Sequence, residues 1–309
     1  MTSKFIDCHT HAHFAAFKDD YKDVIGRAVQ AGVVVVNVGT QKDTSTRAVE
    51  VAREFPENVW SVVGLHPIHT EKSFHDEQEL GASPSTDSTG SPQASSGFTS
   101  RSEDFDYEYY KNLALDPKTI AIGECGLDYY HVSQNIEHVA EIQRKQKETF
   151  IKQIELAKDV QKPLMIHCRG STPSTGSGQA GSPQGDAFGD LIKTLEINKS
   201  KLNDNPGIIH FFTGTMEDAK KLLDLGFYFT FGGVITFARN YDEVIKTIPI
   251  DRLLSETDAP YVTPEPYRGK RNEPAYVVYV VRKLAEIKRV LEEEMAEQIW
   301  RNAKTVFRL

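Results

Sequence analysis

Short apolar runs alternate with stretches of helical spacing along nearly the whole chain. The strand-like runs are Lys4–His9, Val33–Gly39, Val59–His66, Thr119–Gly126, Pro163–Cys168, Gly207–Phe212, Phe227–Gly232 and Leu253–Thr257. Several are almost continuously apolar, as in Val33-Val34-Val35-Val36, the pattern of strands buried on both faces of a parallel sheet. Helical spacing marks Asp20–Ala31, Thr44–Phe55, Ile136–Val160, Met216–Leu225 and Tyr241–Ile248. Asn272–Arg289 reads as the last outer helix and Leu291–Phe307 as an extra C-terminal helix that caps or braces it. Eight strands alternating with helices predict a (β/α)8 TIM-type barrel, with 1–309 as a single domain. No G-x-G-x-x-G turn follows the first strand, which weakens a dinucleotide-binding alternative.

Two stretches, at about 81–102 and 170–185, break this rhythm with Ser, Gly, Thr and Pro. They read as low-complexity loop insertions that bury too little apolar surface to offset their ordering entropy. Each follows a predicted strand and so rises from the catalytic face, as a tolerated insertion or as a substrate-contacting flap. The formal charge of −8 argues against binding nucleic acid through an overall basic surface. It leaves room for a local basic pocket. The three cysteines are widely spaced and odd in number, so no disulfide framework is expected. With no secretory apolar region and no membrane-length apolar span, the expectation is a cytoplasmic protein without membrane association or obligate protein partner.

Candidate chemistry gathers at the ends of the strand-like runs. His9 and His11 lie two apart on one strand and share a face, with Asp7 a layer deeper to orient an imidazole. Cys8, Cys125 and Cys168 have the opposite parity and read as packing residues. Glu124 ends an apolar strand, where a carboxylate needs a cation or strong donors; a buried salt bridge is the bland alternative. His167 and His210 each end an apolar run. Any one of them alone would be an ordinary hydrogen-bonded core histidine. At corresponding strand ends together, they predict a divalent-metal site at the C-terminal ends of the strands.

Asp258 could bind metal, orient the attacking water and accept its proton, and Glu256 shares its parity as a supporting group or structural ion pair. Glu124 and Asp258 are the expected catalytic pair. Arg169 follows His167 at the mouth, to hold phosphate or an acidic neighbour. Arg268, Lys270 and Arg271 form a basic patch after the Asp258 strand, with Arg268 the first candidate for substrate binding. Tyr129 and Tyr130 could stack on a base or cover the barrel rim.

Taken together, D-C-H-T-H, G-E-C-G-L-D-Y-Y, I-H-C-R, H-F-F-T-G and S-E-T-D-A-P-Y followed by R-G-K-R-N-E-P resemble the TatD family of metal-dependent deoxyribonucleases. The likeness runs in order along nearly the whole chain, omitting the two insertions. It implies an amidohydrolase-type barrel in which His9, His11 and Asp258 bind one ion, His167 and His210 a second, and Glu124 bridges them. His66 matches the family's G-x-H-P pattern in Gly64-Leu65-His66-Pro67, where it would face the scissile phosphate as a substrate contact. The implied activity is hydrolysis of DNA phosphodiesters, commonly as a 3′ to 5′ exonuclease, by water held between two divalent ions. Mixed nitrogen and oxygen ligands suit Zn²⁺ or Mn²⁺ at least as well as Mg²⁺. The rival activity is hydrolysis of another ester or amide, such as D-aminoacyl-tRNA. A non-catalytic binding barrel is disfavoured because every expected ligand position is filled.

Overall fold

The computed structural model describes residues 5–71, 79, 102–130, 136–170 and 185–309. Most of both low-complexity insertions, 81–101 and 171–184, lies outside the described residues. The strands are β1 (Phe5–Thr10), β2 (Val33–Val38), β3 (Val59–Val63), β4 (Thr119–Asp128), β5 (Leu164–Arg169), β6 (Gly207–Ile209), β7 (Tyr228–Phe231) and β8 (Leu253–Ser255). They form one parallel sheet in sequence order, each paired with the next, and curl into a nearly closed TIM-type barrel.

The helices between them are α1 (Tyr21–Gln30), α2 (Lys42–Glu54), α3 (Tyr107–Ala114), α4 (Ile136–Asp159), α5 (Ala187–Ile197), α6 (Met216–Asp224) and α7 (Asp242–Thr247). After β8 come α8 (Val277–Lys288) and α9 (Glu292–Phe307), the extra C-terminal helix. The apolar run of β2 is explained by its surroundings. Val34, Val36 and Val38 join the main core with Ile6, Cys8 and Val62, while Val33 and Val35 join a second cluster with Ile25 and Ala28 of α1 and Val51 and Ala52 of α2.

Between β8 and β1 the seam is joined largely by side chains and strand-end backbone. Ser255 Oγ donates to the Ile6 carbonyl (2.9 Å), Thr257 N–H to Asp7 Oδ1 (2.8 Å), Asp258 N–H to the His9 carbonyl (2.9 Å) and His11 N–H to the Ala259 carbonyl (2.8 Å). On α9, Asn302 Nδ2 donates to the carbonyls of Ile250 (2.9 Å) and Leu253 (2.8 Å), pinning the helix where the chain enters β8. The sequence predicts that this helix braces the last outer helix; its Asn302 contacts instead reach the entry of β8.

Two ladders carry one extra residue at the ends that matter. Along β1 the partners step from Asp7↔Val35 to Thr10↔Asn37, and along β4 from Ile122↔Leu164 to Cys125↔Ile166. Such bulges re-aim side chains. The one in β1 spans Cys8 and His9; the one in β4 spans Gly123 and Glu124.

Candidate metal centre

Glycines on both sides of Glu124 allow its strand to lie close against β5. A β-carbon on Gly123 would sit 2.4 Å from the Met165 carbonyl oxygen, and one on Gly126, whose φ is +130°, 2.1 Å from that of His167. Glu124 is buried, and its two oxygens divide the surrounding imidazoles. Oε2 lies 3.4 Å from His9 Nε2 and 4.0 Å from His11 Nε2. Oε1 lies 3.0 Å from His167 Nδ1, 3.2 Å from His210 Nε2 and 3.3 Å from His66 Nε2. Burial alone would raise the pKa of Glu124, but His66, His210 and His9 draw it well below the ordinary carboxylate value. Asp258 completes the Oε2 side, its Oδ1 3.3 Å from His11 Nε2 and 3.8 Å from His9 Nε2. Burial opposes its ionisation, yet the His11 hydrogen bond and the charges of His210 and His9 hold its pKa low.

Hydrogen-bond partners fix which nitrogen His11, His210 and His167 present. His11 Nδ1–H donates to the Val38 carbonyl (2.7 Å), leaving the Nε2 lone pair facing inward. His210 Nδ1–H donates to Glu256 Oε2 (3.1 Å), with the same consequence. His167 Nε2–H donates to Asp128 Oδ2 (3.0 Å), so Nδ1 faces Glu124. These imidazole–carboxylate and imidazole–carbonyl pairs are the supporting contacts that metal-ligating histidines make.

His66 is the opposite case. Its Nδ1 accepts from the Ile68 N–H (3.2 Å) at the start of the turn Pro67–Thr70, so in the neutral ring Nε2 carries the proton. Burial holds the His66 pKa at about 4, keeping that ring neutral despite the pull of Glu124. By distance alone His66, Glu124 and His167 could hold a cation. The tautomer makes His66 a hydrogen-bond donor instead.

His9 and His11 meet at their Nε2 atoms, 3.2 Å apart. Two inward nitrogens at that separation suit a shared cation, with ligand bonds of about 2.1 Å. Together with Glu124 they form one potential metal-binding group, and on the other side of Glu124 the inward nitrogens of His167 and His210 lie 3.0 and 3.2 Å from Oε1. The residues present therefore fit a divalent-metal centre.

The centre opens into a cavity of about 900 Å³. Its walls include His11, His66, Glu124, His167, His210 and Asp258 together with Arg169, Tyr130, Phe211 and Tyr261, while His9 lies beneath them. Arg169 reaches the mouth, where its guanidinium lies over the Tyr130 ring, 3.9 Å from the centroid. Tyr130 is partly exposed at the rim, whereas Tyr129 is buried and donates to Asp190 Oδ2 (2.8 Å). Arg268 differs from expectation: it stacks over Phe237 at 3.7 Å and is not among the cavity-lining residues. Arg271 is occupied by Asp20 and the Ala16 carbonyl, which leaves the expected basic patch divided.

Asp7 also departs from its expected role. It accepts from the backbone N–H groups of His9 (3.4 Å) and Thr257 (2.8 Å) and from the Thr257 hydroxyl, bracing the seam rather than an imidazole ring. Glu256 does orient an imidazole, that of His210, and also accepts from the Thr230 hydroxyl. The three cysteines are buried and unpaired.

Sequence reasoning passed over two features. Asp128, the partner of His167, shares the parity of Glu124 four residues earlier, and extending β4 by two residues would have exposed it. Glu79 lines the cavity with Gln41 Nε2 donating to it (2.9 Å), the Thr40 hydroxyl also donating, and His69 Nε2 at 3.2 Å. No periodic pattern surrounds Glu79 in the sequence to mark it.

An eight-stranded parallel barrel with strand-end histidines and carboxylates around one buried glutamate defines a metal-dependent hydrolase of the TIM-barrel class. Comparison with known proteins makes this specific. A family model described as TatD related DNase matches residues 6–308. The chain belongs to that family. It is 35% identical over 306 residues to the protein named "Uncharacterized metal-dependent hydrolase YabD" of Bacillus subtilis, covering 98% of both chains. It is 30% identical over 278 residues to the "3'-5' ssDNA/RNA exonuclease TatD" of a Rahnella strain, covering 87% of this chain and 85% of that one. Among solved structures, the TatD homolog YJJV of Escherichia coli superposes over 100% of both chains with a TM-score of 0.75 at 24% identity, a likeness of fold. Among the described residues, no helix is long and apolar enough to cross a membrane.

Proposed function

We propose that this hydrolase is a deoxyribonuclease that cleaves DNA phosphodiester bonds, acting as a 3′ to 5′ exonuclease with two divalent ions. The observation that carries the two-ion reading is the division of Glu124, one oxygen toward His9 and His11 and the other toward His167 and His210. In this reading His9, His11 and Asp258 would hold one ion, His167 and His210 the other, with Glu124 shared between them. Bound divalent cations would acidify water and neutralise phosphoryl oxygens. Asp258, ionised and at the mouth, accepts the proton of the attacking water. His66 would share its Nε2–H, which lies 3.3 Å from Glu124 Oε1, with a phosphoryl oxygen, a role its tautomer supports. Glu256 and Asp128 keep the His210 and His167 rings from turning. Arg268 would meet the strand only beyond the cavity. The name of the Rahnella relative supports nuclease chemistry. The single barrel domain and the unpaired cysteines are consistent with a cytoplasmic enzyme.

The test is to strip the protein with a chelator, restore Mg²⁺, Mn²⁺ or Zn²⁺ singly, and offer end-labelled single-stranded DNA, RNA and D-aminoacyl-tRNA in parallel. The expected result is metal-dependent release of mononucleotides from the 3′ end of DNA, abolished in Glu124→Ala and Asp258→Ala. Turnover of D-aminoacyl-tRNA with DNA left intact would replace this reading with the rival one.

A further inference from the structure

Among the described residues lining the cavity, Arg169 is the only arginine or lysine, in the company of the carboxylates Glu79, Glu124, Asp128 and Asp258. Strand alternation directs Arg169 to the same face as His167, one step of about 7 Å further up β5. That step is comparable to the spacing of successive phosphates along a nucleic-acid strand. The Arg169 side chain is exposed and makes no hydrogen bond or ion pair with another described residue. It is nevertheless held in place, because the guanidinium lies over the Tyr130 ring. The Tyr130 backbone is tied in turn: its N–H donates to Asp128 Oδ1 (2.9 Å), while Asp128 Oδ2 accepts from His167. One buried carboxylate thus holds both a histidine of the candidate metal centre and the main chain that carries the ring beneath Arg169.

A stacked guanidinium keeps its planar fork of N–H donors in one orientation, so less entropy is lost when the fork closes on an oxyanion. The fork matches phosphate with two parallel hydrogen bonds. Lysine in the same position would supply the charge without the stack or the fork. An ordinary rim arginine would instead be mobile or would pair with one of the nearby acids.

We propose that Arg169, laid on Tyr130, binds the phosphate next to the scissile one, so that the site favours strands with consecutive phosphodiesters over isolated phosphoesters. The proposal rests on the nuclease reading and names what that site measures on its substrate. It makes Arg169 a specificity residue and Tyr130 the residue that positions it.

The experiment compares kcat/KM for an oligothymidylate with kcat/KM for bis(p-nitrophenyl) phosphate, which has no neighbouring phosphate. The proteins are wild type, Arg169→Met, Arg169→Lys and Tyr130→Ala, each loaded with the same metal. Binding of the labelled oligonucleotide to chelator-treated protein is followed in parallel by fluorescence anisotropy. Arg169→Met is expected to lower oligonucleotide kcat/KM about 10- to 100-fold, mainly through KM. That loss should exceed its loss on bis(p-nitrophenyl) phosphate at least tenfold. The slope of log kcat/KM against log salt should fall by about 0.7 in magnitude, the share of one phosphate contact on a single strand. Arg169→Lys should restore part of the binding, and Tyr130→Ala should fall between wild type and Arg169→Met.

Equal losses on both substrates would overturn the proposal, because Arg169 would then be supporting the metal centre. Oligonucleotide kcat/KM within twofold of wild type would also overturn it, while leaving the nuclease reading intact. A wild type that hydrolyses bis(p-nitrophenyl) phosphate but neither binds nor cleaves the oligonucleotide would remove both.

Discussion

Exchanging Glu124 for glutamine keeps the shape of the side chain and removes its charge, so Glu124→Gln separates bridging from packing. The five imidazole nitrogens within 4.0 Å of its oxygens would lose their shared counter-charge. Bound metal measured by elemental mass spectrometry is expected to fall below wild type, and hydrolysis to fall at least about 100-fold. Unchanged metal content would show that Glu124 is not the bridge. Away from this cluster, Glu79 gives a pH-dependent prediction. Burial would raise its pKa, but His69, Thr40 and Gln41 outweigh that and hold it at about 2, against 4.5 for the free side chain. A lowered folded-state pKa stabilises above about pH 4.5, and that contribution is lost as pH falls toward about 2. Glu79→Gln should therefore cost about 1–3 kcal/mol in urea unfolding at pH 6 and distinctly less at pH 3. An equal cost at both pH values would refute the ion-pair account. At this scale the convergence of His9, His11, Glu124, His167, His210 and Asp258 was legible because each stands at or just past the end of an apolar run. Tautomers were not, because they depend on partners such as Val38, Ile68 and Asp128 that lie on other elements or turns.

Element by element, the alternation of runs recovered all eight strands, with ends displaced by a few residues. β6 stops at Ile209 and β8 at Ser255, so His210 and Asp258 stand on the loops beyond rather than in the ladder. The bulges in β1 and β4 were invisible, since an extra residue in a ladder leaves no mark on an apolar run. Among the described helices α1–α9, two escaped the pattern. α3 is only eight residues long and carries three tyrosines, and α5 has Gly189 in its first turn and adjoins a low-complexity segment. Their caps were the available signal: Asp106 accepts from the Tyr109 N–H (3.1 Å) and Asp186 from the Gly189 N–H (2.9 Å). The C-terminal helix offers a test far from the metal centre. Asn302→Ala leaves the Ile250 and Leu253 carbonyls without their side-chain donor and should cost about 2 kcal/mol or more. A thermal melt would show it. A melting point equal to wild type would mean that α9 does not brace β8.

For the whole molecule, the nuclease reading asks an acidic protein to act on an acidic polymer, which would need positive charge concentrated where the chemistry occurs. With a net charge of −8 and a cavity lined by several carboxylates, that reading would leave bound cations and Arg169 to attract phosphate. The barrel supplies the means, since every strand ends at the same mouth and residues 249 positions apart, His9 and Asp258, come within 3.8 Å. The spacing of apolar runs made that convergence predictable, but the cavity's outline depends on side chains with no periodic signature, Glu79 and Tyr261 among them. The most direct measurement is an anomalous-difference map from crystals soaked in Mn²⁺ or Zn²⁺. Two peaks are predicted, one on each side of the Glu124 carboxylate, the first among His9, His11 and Asp258 and the second beside His167 and His210. Density elsewhere on the protein, with nothing between those side chains, would contradict the account.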